Sequence, residues 1–121
     1  MSLRTIIVGL GKIGLLYNYS NSNNNSNHSD IFSSTNGFKL VGGVEIIKKK
    51  RLLFERKFSK PSFKNLNHAY KKTNPDIIVL SVPITKFNNI YKYIFLHKIK
   101  PKAFVIEKPG ATNVGELIKM F

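Results

Sequence analysis

The feature that most constrains the fold is the stretch Thr5-Ile6-Ile7-Val8-Gly9-Leu10-Gly11-Lys12-Ile13-Gly14. An apolar, β-branched run enters a G-x-G-x-x-G turn, and Leu15-Leu16 continue as the start of a helix. Each glycine in such a turn has a physical use. Gly9 permits the tight turn at the strand end, Gly11 lets a pyrophosphate approach bare backbone, and Gly14 lets the helix pack close to the strand. The amides around Gly11, Lys12 and Ile13 then point outward from a helix N-terminus, where the peptide dipoles favour negative charge. A glycine-rich βα turn that binds nothing is the competing reading.

The rest of the chain alternates between two periods. Arg4–Val8 is near-continuously apolar and reads as a central strand buried on both faces. Lys12–Tyr17 begins a helix. Residues 18–27 are Asn/Ser-rich, and such side chains bond their own backbone, so a loop is expected there: a surface insertion, or a flap over the cleft. His28–Ser34 is a short helix closed by Asn36-Gly37, and Phe38–Glu45 is the second strand. Ile46–Phe58 reads as a helix with Ile47, Phe54 and Phe58 on one stripe. Pro61–Phe63 is a short edge strand or a connection. Leu66–Lys72 is a helix stopped at Asn74-Pro75, because the residue before proline avoids the helical region. Asp76–Val82 is the best buried-strand signal, and Pro83 ends its ladder for want of an amide. Ile84–Lys98 places Phe87, Ile90, Tyr91 and Ile94 at helical spacing, as core side chains. Ala103–Ile106 is the fifth strand, and Thr112 or Asn113 caps a last helix within which the chain stops.

Strands that alternate with helices specify an α/β fold: a Rossmann-type, doubly wound parallel sheet in three α/β/α layers, with strand order 3-2-1-4-5 and right-handed crossovers. Ligands bind such sheets at the carboxyl ends of the strands, where the order reverses. Gly9–Gly14, Ser81-Val82-Pro83 and Glu107-Lys108 all fall on that edge. Glu45, at the end of the second strand, is placed to accept hydrogen bonds from adenosine ribose hydroxyls and to repel a 2′-phosphate. Its separation from the glycines exceeds the usual spacing of about 20 residues, and the Asn/Ser insertion accounts for the excess. A surface carboxylate beside a helix start is the plainer alternative. Lys48, Lys49 and Arg51 are near enough to receive a 2′-phosphate, so NAD is the expected cofactor and NADP the alternative.

The 121 residues fit one domain, 1–121, cut inside its last helix, and 42% hydrophobic content is enough for a core. The chain has no cysteine, so it has no disulfide framework and no thiolate metal site; no metal is expected. No signal peptide or bilayer-length apolar run is present, so a cytoplasmic protein without a membrane partner is expected. The net charge of +14 leaves open a binder of nucleic acid or another polyanion on the same scaffold, or an NAD-sensing regulatory protein. The densest run, Lys48-Lys49-Lys50-Arg51, reads as an exposed helix face. With no helix-turn-helix, RNA-binding signature or zinc spacing, no nucleic-acid partner is expected.

Three stretches together resemble the N-terminal domain of the glucose–fructose oxidoreductase / inositol dehydrogenase (Gfo/Idh/MocA) family: I-I-V-G-L-G-K-I-G-L-L-Y (Ile6–Tyr17), D-I-I-V-L-S-V-P (Asp76–Pro83) and V-I-E-K-P (Val105–Pro109). The resemblance implies an NAD- or NADP-dependent oxidoreductase that moves a hydride between the nicotinamide and a sugar- or polyol-like substrate. It implies that Lys108 contacts the reacting hydroxyl, and a partly desolvated ammonium beside a cationic ring would have its pKa lowered, which suits that role. It also implies a substrate domain beyond residue 121, a homo-oligomer, and a 121-residue chain that binds cofactor without turnover. Two departures stand out. The family often has a histidine four residues after the proline, where this chain has Phe87, and nearby His97 reads as an ordinary surface histidine. His28 aligns with a histidine often seen early in the family's first helix and reads as structural.

Overall fold

A computed structural model of the chain describes residues 2–11, 14 and 27–106. Residues 12, 13, 15–26 and 107–121 lie outside the described residues, and with them most of the expected helix start at Lys12–Tyr17 and of the expected Asn/Ser loop, Glu107, Lys108 and the expected last helix. The strands are β1 (Leu3–Val8), β2 (Phe38–Val44), β3 (Ser62–Phe63), β4 (Ile77–Leu80) and β5 (Ala103–Ile106). They form one parallel sheet in the order β3-β2-β1-β4-β5, as the alternating pattern predicts. Between them run α1 (His28–Ser34), α2 (Lys48–Phe58), α3 (Leu66–Thr73) and α4 (Ile84–Leu96).

Two apolar layers sandwich the sheet because successive strand side chains point to opposite faces. Ile6, Val8, Ile78 and Leu80 join Leu66, Phe87, Tyr91 and Ile94 on the α3/α4 face. Ile7, Ile77 and Val79 join Leu10, Phe32 and Phe54 on the α1/α2 face. Fully burying each such side chain contributes about 1.5–3 kcal/mol. A register shift between Thr5 and Ile6 brings Gly42 and Gly43 opposite Ile6 and Ile7. A Cβ on Gly43 would come within 3.2 Å of both Leu10 and Phe54, so the missing side chain is what lets α2 lie close on β2.

The helix boundaries have identifiable causes. Asn27 caps α1, its side chain accepting from the Asp30 amide at 2.8 Å, and Asn65 caps α3 by accepting from His68 at 2.9 Å. Asn74 ends α3 in the left-handed region, at φ 48°, ahead of Pro75. Several elements are shorter than their patterns suggest, α2 and β4 among them. Helix α2 begins at Lys48, because Ile46 and Ile47 form the turn after β2, where Ile47 is exposed and not part of the stripe with Phe54. Strand β4 is Ile77–Leu80, since Asp76 is drawn to β1: it accepts from the Arg4 amide at 2.9 Å and donates its own amide to the Arg4 carbonyl at 2.7 Å.

Candidate functional site

The carboxyl ends of β1, β2 and β4 meet at the point where the strand order reverses, and a cleft of about 860 Å³ opens there. Gly9 and Gly11 line it from β1, Glu45 from β2, and Ser81, Val82 and Pro83 from β4. These residues come from three separate parts of the chain. The ladder continues just past the strand ends to hold them: Gly9 donates to the Val44 carbonyl and Ser81 to the Val8 carbonyl, both at 2.8 Å.

The glycines divide by role. Gly9 sits at φ 93°, and a Cβ there would stand 2.7 Å from the Ser81 carbonyl oxygen. A Cβ on Gly14 would overlap the Gly9 carbonyl oxygen. Both are closed in by backbone. Gly11 differs, with nothing among the described residues within 4 Å of where its Cβ would be. The turn is therefore tightly packed from behind and open in front.

Glu45 is bound into the turn. Its carboxylate accepts from the Leu10 amide at 2.9 Å through one oxygen and from the Ile47 amide at 3.0 Å through the other. Leu10 therefore turns its amide to Glu45 and not toward a ligand, and its side chain is buried in the core. Of the residues of the turn expected to meet the cofactor, Gly9 to Gly14, Leu10 thus has its amide engaged by Glu45, while Lys12 and Ile13 lie outside the described residues. The loop carrying Glu45 is held by Arg51, whose guanidinium donates to the carbonyls of Glu45 at 2.8 Å and Ile46 at 2.7 Å. Of the three cations that the sequence places near a 2′-phosphate, Arg51 is thus engaged with backbone, and Lys50 lines the cleft where Lys48 and Lys49 do not.

One polar side-chain atom at the site has no partner among the described residues. The Ser81 hydroxyl is buried beneath the glycine turn and makes no hydrogen bond among the described residues. A buried hydroxyl normally finds a partner, and the exceptions often mark a functional position. The open space at Gly11, the carboxylate at the end of β2 and the unpaired hydroxyl at the end of β4 fit a bound dinucleotide. Phe87, where the family often has histidine, forms part of the cleft wall, is 1% exposed and stacks on Tyr91 at 5.6 Å. His97 caps the end of α4 with its ring 4.2 Å from Tyr93, and His28 opens α1 with its ring 6.4 Å from Phe32.

Sequence reading did not find the rest of the wall. Ile46 and Ile47 are 71% and 50% exposed and face the cleft just past Glu45. Lys64 lines it from the end of β3 and Lys86 from α4. Two adjacent isoleucines straight after a strand-end acid were the available signal for the first pair; the two lysines reach the cleft only through the strand order. Among the described residues no cluster of His, Cys, Asp and Glu could hold a metal ion, and no helix is long and apolar enough to cross a membrane.

A parallel sheet of this order, with a glycine turn and a strand-end acid at its switch point, defines a Rossmann-type nucleotide-binding domain. The chain belongs to the Gfo/Idh/MocA oxidoreductase family: the family model described as an oxidoreductase family with an NAD-binding Rossmann fold matches residues 3–121. Solved structures share the fold. The WlbA dehydrogenase from Bordetella pertussis, in complex with NADH and UDP-GlcNAcA, is 20% identical at a TM-score of 0.72, with 99% of this chain and 33% of that chain covered. The myo-inositol 2-dehydrogenase from Lactobacillus plantarum is 18% identical at a TM-score of 0.69, with 99% and 32% covered. An oxidoreductase from Agrobacterium radiobacter, in complex with NAD+, L-tartaric acid and magnesium, is 12% identical at a TM-score of 0.71, with 99% and 31% covered. The chain spans about a third of the length of these proteins. Comparison with the curated proteins gives no match.

Proposed function

We propose that this chain is the cofactor-binding part of a cytoplasmic, homo-oligomeric NAD(P)-dependent oxidoreductase that acts on a CH–OH group of a sugar- or polyol-like substrate. The observation that carries the reading is the turn itself, closed behind Gly9 and Gly14 and open in front of Gly11. An anion can reach backbone there without meeting a side chain. When bound, the nicotinamide supplies the hydride acceptor or donor. The chain's own residues bind and orient. Gly11, with Lys12 and Ile13, takes the pyrophosphate, and Glu45 accepts from the ribose hydroxyls with the lone pairs that its two backbone bonds leave over. Ile46 and Ile47 offer an apolar surface to the adenine. Ser81 supplies a hydroxyl at the switch point, with Val82 and Pro83 shaping the wall beside it.

Ile106 pairs with Leu80, so the chain passes into Glu107 and Lys108 from the strand end next to Ser81. By its match to the family motif, Lys108 holds or releases the proton of the reacting hydroxyl, and Glu107 borders the cofactor. The single-domain boundary, 1–121, belongs to the same proposal. Calorimetric titration of the 121-residue chain with NADH tests it: saturable binding is expected, with no turnover of polyols by this chain alone. A flat NADH trace would remove the reading.

A further inference from the structure

Glu45 alone would reject a 2′-phosphate by charge repulsion, yet it does not stand alone. Lys50 reaches the cleft from the first turn of α2. Lys64 reaches it from the neighbouring strand. Val44 pairs with Phe63, and the Glu45 amide donates to the Phe63 carbonyl at 2.9 Å, so Lys64 comes next in register, alongside Glu45. Two lysines therefore line the cleft from the elements on either side of Glu45. The carboxylate is meanwhile turned onto the amides of Leu10 and Ile47. Neither lysine forms an ion pair among the described residues, where Asp30 is taken by Lys57 and Asp76 by Lys102. Arg51 is not among the cleft-lining residues, and one nitrogen of its guanidinium, Nη1, is held on the Glu45 and Ile46 carbonyls.

We propose that Lys50 and Lys64 form a receptor for the 2′-phosphate of NADP(H), so that this cleft accepts NADP(H) as well as NAD(H) despite Glu45. The inference rests on the dinucleotide reading above and adds to it which residues set cofactor choice. A phosphate monoester carries close to two negative charges near neutral pH. Two lysines against one amide-bound carboxylate leave a net positive site for it, whereas a 2′-hydroxyl gains little from either lysine.

The test is calorimetric titration of the 121-residue chain with NADH, NADPH, 5′-AMP and adenosine 2′,5′-bisphosphate, repeated on Lys50→Gln and Lys64→Gln. The native chain is expected to bind NADPH within about tenfold of NADH, a difference of about 1.4 kcal/mol. Each substitution is expected to weaken NADPH and the bisphosphate roughly tenfold more than NADH and 5′-AMP. Rising salt should weaken NADPH more steeply than NADH. NADH binding with NADPH at least about a hundredfold weaker would overturn the receptor and leave the dinucleotide reading intact. So would lysine variants that weaken both dinucleotides equally. Failure of the native chain to bind either dinucleotide would overturn both.

Discussion

Gly11 and Gly14 stand three residues apart in one motif, yet their environments predict opposite failures. A methyl at Gly14 overlaps the Gly9 carbonyl oxygen, so Gly14→Ala is expected to destabilise the fold itself, with a lower melting temperature before any ligand is added. A methyl at Gly11 meets nothing within 4 Å among the described residues, so Gly11→Ala should melt like the native chain and lose roughly tenfold or more in NADH affinity. Equal melting losses for the two would contradict this division. Ser81 gives a third case. Its buried hydroxyl has no partner among the described residues, so Ser81→Ala is expected to leave the ligand-free chain unchanged or stabilised by up to about 1 kcal/mol, while NADH affinity falls. Urea unfolding and titration on the same variant read both effects.

At the scale of elements, helices α1 and α2 are joined by an ion pair that no local pattern announces. Lys57 meets Asp30 at 2.9 Å with side chains 13% and 3% exposed, and Asn27 adds a bond to the same carboxylate at 2.8 Å. Asp30→Ala leaves the ammonium without its carboxylate in a largely buried site, and a loss of about 3–5 kcal/mol by denaturant unfolding is expected. Asp30→Ala combined with Lys57→Met should recover part of it, because the unpaired charge goes too. Asp76 ties β1 to β4 in a different way. The backbone amide of Arg4 holds its carboxyl below the usual carboxylate range, with help from Lys102 at 3.4 Å, and desolvation opposes them. A depressed carboxyl stabilises the fold above the ordinary carboxylate range and loses that contribution as pH falls through its folded value. The stability gap between the native chain and Asp76→Asn should therefore be full at neutral pH and shrink in acid. Melting curves from pH 7 down to about pH 3 check the sign.

For the whole molecule, charge and ligand act together. The 6 Asp and Glu offset only a minority of the charge of the 20 Lys and Arg. A net charge of +14 should draw an anionic dinucleotide toward the cleft and make its association fall with ionic strength. Binding to the folded state alone also adds stability by mass action. NADH at about 100 times its Kd should raise stability by about 2.7 kcal/mol, or roughly 10 °C in melting temperature for a domain of this size. A melting temperature that is indifferent to saturating NADH would mean that the cleft does not take the cofactor.

Much of this was legible along the chain. Buried strands show as apolar runs, the glycine turn shows by spacing, and Phe87, Tyr91 and Ile94 show as core by helical period, because each signal is written within a few residues of backbone geometry. Alternation and handedness specify a parallel sheet, and the glycine turn after the first strand selects the Rossmann order among those they allow. What the sequence could not determine is which polar groups find one another. The Leu10 amide and the Glu45 carboxylate are 35 residues apart, Asp30 and Lys57 are 27 apart, and Lys64 comes beside Glu45 only once β3 has paired with β2. Arg51 reads as a cation available to a phosphate until the turn after β2 brings two carbonyls within its reach. Periodicity reports the face on which a side chain lies; only the packed sheet decides what stands opposite it.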